Sequence, residues 1–226
     1  MEIQNNKEEI PFSYYADLFA QADPAEITAR LGIPFENNTF KITLLGTDYL
    51  VHHPKGETVG VVSQSAANLL ISMPASGRHT TIPDHIDPKK IPLPVQTFLL
   101  RYLLEGKTVP WNGTWKTFRE MPWGELYIKP YTGRVLTRAA FTFGTRLAAF
   151  KAAAEKLGAT PVPNGDAGFE FTLIGNYKMR ILVWEGDDEF PPNAQVLYSD
   201  NFETGFAPED RVVSGDILIT TIKSAM

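Results

Sequence analysis

The chain has 226 residues, 43% of them hydrophobic and 21% charged, with a formal net charge of 21 − 26, or −5. That composition describes a globular chain able to bury roughly 70% of its unfolded surface, and it excludes disordered and collagen-like classes. The complete absence of cysteine removes disulfide scaffolds, thiolate metal sites, iron–sulfur ligation by this chain and cysteine nucleophiles.

Residues 1–10 read as a polar tail without the apolar stretch of a secretory signal, and no apolar run approaches the ~20 residues a membrane-spanning helix needs. Cytoplasmic location and no membrane partner are the expectation. A pI of about 5.4 and the lack of a Lys/Arg run weigh against nucleic acid. The whole of 1–226 reads as a single α+β domain in which an antiparallel meander and hairpin pack against several helices.

In chain order, Ser13–Ala20 predicts a short helical stretch. Asp23-Pro24-Ala25-Glu26 then sets an N-cap, a proline at the first helical position and an acidic third residue, for a helix ending near Leu31 with Gly32 past its end. Thr39–Leu45, Tyr49–His53 and Thr58–Val62 predict a meander turning at Gly46-Thr47-Asp48 and Pro54-Lys55-Gly56. Adjacent His52 and His53 on a strand point to opposite faces and cannot easily share a metal. Residues 74–94, with Pro74, Pro83, Pro88, Pro92 and Pro94, read as a proline-rich excursion; His79 and His85 within it read as solvent-facing.

Val95, Leu99, Tyr102 and Leu103 predict a helix stopped by Gly106. Phe143, Leu147, Phe150, Ala154 and Leu157 step by 4, 3, 4 and 3 and predict one continuous helix over 143–157. Phe169, Phe171 and Leu173 alternate before a Gly175-Asn176 turn, and Met179–Trp184 returns as a hairpin. The last segment is two-sided: Val212, Val213, Ile217, Ile219 and Ile222 favour a strand, whereas Pro208-Glu209-Asp210 looks like a helical first turn.

Charge is unevenly placed. Residues 181–210 hold eight acidic and no basic side chains, whereas 101–146 hold eight basic and three acidic. Mutual neutralisation of the two blocks is favoured over an acidic partner surface.

Two stretches carry the functional candidates. Trp111 to Tyr131 concentrates aromatic rings around cationic heads, and Trp115, Phe118, Arg119, Glu120, Trp123 and Tyr127 are the candidate ligand-binding residues. An aromatic cluster buried beneath a loop is the commoner outcome for such a stretch. The second is Asp187-Asp188-Glu189 with Asp210, a candidate divalent-metal set, because hard cations take several convergent carboxylate oxygens. A solvated, self-capped acidic turn is favoured there. Phosphate-loop, dinucleotide, nucleophile-elbow and zincin motifs are absent.

Phe118-Arg119-Glu120-Met121-Pro122-Trp123-Gly124-Glu125-Leu126-Tyr127 resembles the FRE-x-P-x-G-x-x-Y signature of the domain-of-unknown-function family 3786 (DUF3786). Asp188-Glu189-Phe190-Pro191, Leu197-Tyr198, Pro208-Glu209-Asp210 and Leu99-Leu100-Arg101-Tyr102-Leu103 resemble its further blocks, and the similarity spans residues 15 to 222. Arg101 and Ser199 depart from the His and Asp of those blocks, and the cysteine-rich segment of some members is missing. The resemblance implies an origin in anaerobic bacteria or archaea and a setting in redox or one-carbon metabolism, with corrinoid or redox proteins as partners, and no established activity. The function expected is therefore a small-molecule- or partner-binding accessory module; the alternative is a metal-dependent hydrolase or transferase built on Asp187, Asp188 and Glu189.

Overall fold

The computed structural model describes residues 6–61, 85–86 and 91–226. Pro74, Pro83, Pro88, His79 and the side chain of His85 lie outside the described residues. The chain divides into two compact units, Met1–Glu105 and Gly106–Met226. In both, helices accompany antiparallel strands, the α+β class expected from the segregated blocks.

In the N-terminal unit, α1 (Asn6–Gln21) begins well before the helical stretch expected at Ser13 and takes in half of the polar tail. Helix α2 (Pro24–Leu31) keeps its expected ends. The Asp23 carboxylate accepts the Ala25 N–H at 2.8 Å, and Gly32 closes the helix at φ +69°.

Strands β1 (Phe35–Glu36), β2 (Thr39–Leu44), β3 (Thr47–His52), β4 (Glu57–Val61) and β5 (His85–Ile86) pair in chain order as an antiparallel meander. The β2–β3 turn is Leu45-Gly46 rather than Gly46-Thr47-Asp48. Both turn residues have positive φ, the two-residue geometry whose twist matches the strands. Asp48 is thereby paired into β3, where it meets Lys41 at 2.8 Å and Thr43 at 2.6 Å. Helix α3 (Leu93–Glu105) buries Phe98, Leu99, Leu100 and Leu103 and packs against α1.

In the C-terminal unit, β6 (Trp115–Thr117) leads through a 3₁₀ turn (Phe118–Glu120) into α4 (Gly124–Tyr131). A π-helical turn (Thr132–Thr137) passes into α5 (Arg138–Phe143). The helix expected over 143–157 is broken at Gly144. Phe143 ends α5, Arg146 leaves helical geometry at φ −143°, and α6 runs from Leu147 to Lys156. A Cβ on Gly144 would strike Pro192 and the carbonyls of Ala140 and Trp184, so only glycine fits at the break. The apolar stripe survives the break, because Phe143 and Phe150 still stack at 4.8 Å.

Strands β7 (Thr160–Val162), β8 (Ala167–Ile174), β9 (Tyr177–Trp184) and β10 (Asn193–Ser199) join β6 in an antiparallel sheet of order β7-β8-β9-β10-β6. The β8–β9 hairpin turns at Gly175-Asn176 as expected. After α7 (Phe202–Gly205), the two-sided final segment is helical throughout, as α8 (Pro208–Ala225). Proline and two carboxylates in its first turn outweigh strand propensity, since β-branched side chains lose little when one helix face is buried.

One sheet face carries the core: Phe169, Phe171, Leu173, Met179, Ile181, Val183, Val196 and Tyr198 are all buried. Among the described residues, no helix is long and apolar enough to cross a membrane.

Two glycines test this packing. A Cβ on Gly205 would collide with the Tyr177 ring and hydroxyl, whereas one on Gly133 meets nothing. Gly205→Ala is expected to cost ~1–3 kcal/mol in urea unfolding. Gly133→Ala is expected to gain up to ~1 kcal/mol, by narrowing the unfolded ensemble.

Candidate functional site

The aromatic stretch does not form one wall. Phe118 is buried and stacks on Tyr131 at 3.9 Å, with the ring planes 6° apart. The Tyr131 hydroxyl lies 3.2 Å from that of Tyr198, which also reaches the Arg211 carbonyl at 3.0 Å. Burial raises the pKa of both phenols, so they stay neutral hydrogen-bonding groups.

Trp115 sits elsewhere. On the sheet face opposite the core, the Arg180 guanidinium lies 4.1 Å over its ring and the Lys178 ammonium 4.9 Å over Trp111, while the two indoles meet edge to face at 5.4 Å. Glu170, directly across from Arg180 on the neighbouring strand, accepts from Lys178 at 2.8 Å and from two Arg180 nitrogens at 2.9 and 3.1 Å. Burial pushes the Glu170 pKa upward, but the bonds and charges of Lys178 and Arg180 outweigh it and hold the carboxylate below its ordinary value. These two indoles are therefore stacked by the protein's own cations.

The remaining candidates lie on the corner between β6 and α4. The Glu120 carboxylate accepts both the N–H and the hydroxyl of Thr117 at 2.7 Å, which closes the 3₁₀ turn. Arg119 pairs with Glu125 at 2.9 Å, both well exposed, and the Tyr127 hydroxyl donates to Glu209 at 2.9 Å.

Trp123 is left at the apex. Its backbone is left-handed at φ +64° and the residue is 68% exposed; Leu126, in the first turn of α4, is 70% exposed. A bulky residue in that conformation carries ~1–3 kcal/mol of strain and persists only where its surroundings over-determine it.

Two features do so. A Cβ on Gly124 would overlap the Phe118 carbonyl and the Arg119 backbone, so the chain after Trp123 is packed flush against the 3₁₀ turn. From beneath, the Arg211 guanidinium donates to the carbonyls of Pro122 at 2.7 Å, Phe206 at 3.1 Å and Glu203 at 3.2 Å. Arg211 is only 2% exposed; desolvation lowers its pKa, with Glu203 the main opposing charge. Neither Leu126 nor Arg211 stood out in the sequence. The available signals were two large apolar residues, Trp123 and Leu126, three positions apart at a helix start, and an arginine directly after Pro208-Glu209-Asp210.

The acidic residues take other roles. The Asp187 carboxylate accepts the N–H groups of Phe190 at 2.7 Å and Glu189 at 2.9 Å, which lowers its pKa. Asp188 and Glu189 are exposed, and Asp210 is buried in the first turn of α8. Among the described residues, no three His, Asp or Glu side chains come together so as to hold a metal ion, so the candidate metal set is not gathered. The acidic and basic blocks do meet within the chain: Lys116 pairs with Glu203 at 2.6 Å.

A family model described as domain of unknown function (DUF3786) matches residues 74–221. The chain belongs to the DUF3786 family. No curated protein and no solved structure matches it. The matched span contains the blocks at 118–127, 188–191, 197–198 and 208–210, whereas the resemblance began at residue 15. In this DUF3786 chain two of those blocks, through Pro122 and Tyr198, meet at Arg211, the residue that directly follows the 208–210 block.

The departure at Ser199 is absorbed by the backbone. Its buried hydroxyl accepts the Lys178 N–H at 3.0 Å and donates to Asn201 at 2.6 Å, while Asp200 takes the Asn112 N–H at 3.2 Å. Arg101 lies 4.9 Å over the Tyr15 ring and pairs with Glu105 at 3.6 Å.

Arg211→Ala leaves three carbonyls without their donor and is expected to cost ~3–5 kcal/mol in urea unfolding, with loss of near-ultraviolet dichroism. Arg211→Lys recovers only part, since an ammonium lacks the planar fork. A carboxylate held below its ordinary pKa contributes stability that is fully present above the unfolded value and lost as pH falls through the folded one. Wild type should therefore lose stability faster than Glu170→Gln as pH drops below 4.5, the ordinary value for glutamate.

Proposed function

We propose that this protein is a cytoplasmic accessory module of the anaerobic redox or one-carbon metabolism that the family resemblance implies, and that it binds a partner protein through the Trp123–Leu126 corner. The observation that carries this reading is a solvent-exposed tryptophan on strained backbone, with a second large apolar side chain three residues on.

Ordinary surface optimisation would replace Trp123 by glycine or asparagine, which relieves left-handed strain, and would not leave an indole in water. Tryptophan is enriched among the residues that dominate protein interfaces, and an anchor fixed before binding loses little conformational entropy on association. The Arg119–Glu125 pair beside it supplies a polar rim.

A protein partner has more support than a free small molecule. Ligand pockets bury 70–90% of a small ligand's surface, and side chains as exposed as Trp123 and Leu126 enclose nothing. Hydrolase chemistry at Asp187, Asp188 and Glu189 has less support, because the Asp187 carboxylate is committed to its own turn.

Trp123→Gly separates binding from stability. The variant is expected to unfold at equal or higher urea, by up to ~1 kcal/mol. In affinity capture from the source cells it should lose at least tenfold of a partner that wild type and Trp184→Ala both retain, as should Leu126→Ala. Calorimetry with that purified partner then gives the affinities. Capture profiles that are the same for wild type, Trp123→Gly and Leu126→Ala would overturn the reading.

A further inference from the structure

Helix α1 has one face committed and one open. Phe19 is fully buried, meeting Phe40 at 6.1 Å and His53 at 5.1 Å, and Tyr15 lies under Arg101 of α3. On the outward side Ile10 is 53% exposed, Tyr14 58% and Leu18 39%. Their spacing of four and four residues stacks them along one line about 12 Å long. Exposed Pro11 flanks the line. Lys7 and Asp17, both exposed, stand beside its two halves, and neither forms an ion pair among the described residues.

Single exposed apolar side chains are ordinary; three in register along a helix anchored on its other side make one apolar seam that calls for a partner.

We propose that α1 is a self-association surface, on which a second copy of this chain docks its own α1 antiparallel, about a two-fold axis at Tyr14. The seam fits a second copy because it is symmetric about its centre: antiparallel docking sets Ile10 against Leu18 of the second copy, Tyr14 against Tyr14, and Leu18 against Ile10. The same operation sets Lys7 of each copy opposite Gln21 of the other, about 6 Å along the axis from Asp17 and within reach of the long lysine side chain, so opposite charges approach each other twice. It also opposes the two helix dipoles. A surface that matches itself under a two-fold is the requirement for a closed dimer, the commonest assembly of soluble chains. One helix pair falls at the small end of specific interfaces, so the dimer is concentration-dependent. The seam lies in the N-terminal unit and shares no residue with the Trp123 corner, so either proposal can fail alone.

The cysteine-free chain makes the test direct. Tyr14→Cys places one thiol at the two-fold axis, and Ser13→Cys places one on an equally exposed position off the seam. A short bis-maleimide should join two Tyr14→Cys chains in high yield and Ser13→Cys chains at least tenfold less. Sedimentation of the unmodified chain should show a dimer fraction that rises with concentration. Lys7→Glu and Asp17→Lys alone should each weaken it roughly two- to fivefold, and the double exchange should restore it. All four positions are exposed, so folding is unaffected, and far-ultraviolet dichroism checks this. A monomer at every concentration, equal cross-linking of the two cysteine variants, or a double exchange weaker than either single one overturns the proposal.

Discussion

A buried guanidinium holding three backbone carbonyls is the interaction on which the C-terminal unit depends. Arg211 enters with the first turn of α8 and spends its donors on Pro122, Glu203 and Phe206. Those carbonyls belong to the corner before α4 and to the two ends of the short α7 segment. The Phe206 carbonyl, in a buried residue, would otherwise be an unsatisfied acceptor, which is expensive, while the charge itself needs partners once removed from water. Both requirements are met by one arrangement, so α8, α7 and the corner cannot shift independently.

The aromatic residues next to this clamp divide into three groups by what surrounds them. Phe118, Tyr131 and Tyr198 form the packed layer above Arg211, where ring stacking and neutral hydroxyls replace water. Trp111 and Trp115 are capped by Lys178 and Arg180, whose charges are balanced by Glu170. Trp123 alone is turned outward, and the rigidity of the other two groups gives its position meaning. An exposed indole on a floppy loop would be unremarkable, whereas this one is held in a backbone conformation its side chain disfavours.

Much of the architecture was legible in the residues. Asp23-Pro24 and Gly32 bounded α2, alternation and Gly175-Asn176 built the β8–β9 hairpin, and the Phe118–Tyr127 block identified the family. Each of these signals is local or nearly so. The misplacements had non-local causes. The 143–157 stripe predicted one helix because periodicity ignores what lies across the chain; at the point where the helix stops, Pro192 and the Trp184 carbonyl come so close to Gly144 that a side chain would not fit. The first meander turn moved by one residue because strand register, set by pairing, placed Leu45 and Gly46 at the apex.

The sequence by itself determined the class of the fold, the ends of α2, the β8–β9 hairpin, the family, and the exclusion of thiol chemistry. Those follow from capping, periodicity, motif order and composition, which act over a few residues or over the whole chain at once. Only the tertiary structure decided which candidate side chains were already used. Whether that indole or that arginine is free depends on partners some 65 to 90 residues away, Arg180 for Trp115 and Pro122 for Arg211, whereas Asp187 is used within its own turn. No local pattern encodes those distances, so the sequence could nominate six aromatic and charged residues for a site, and only packing could leave Trp123, with its unforeseen neighbour Leu126, facing water.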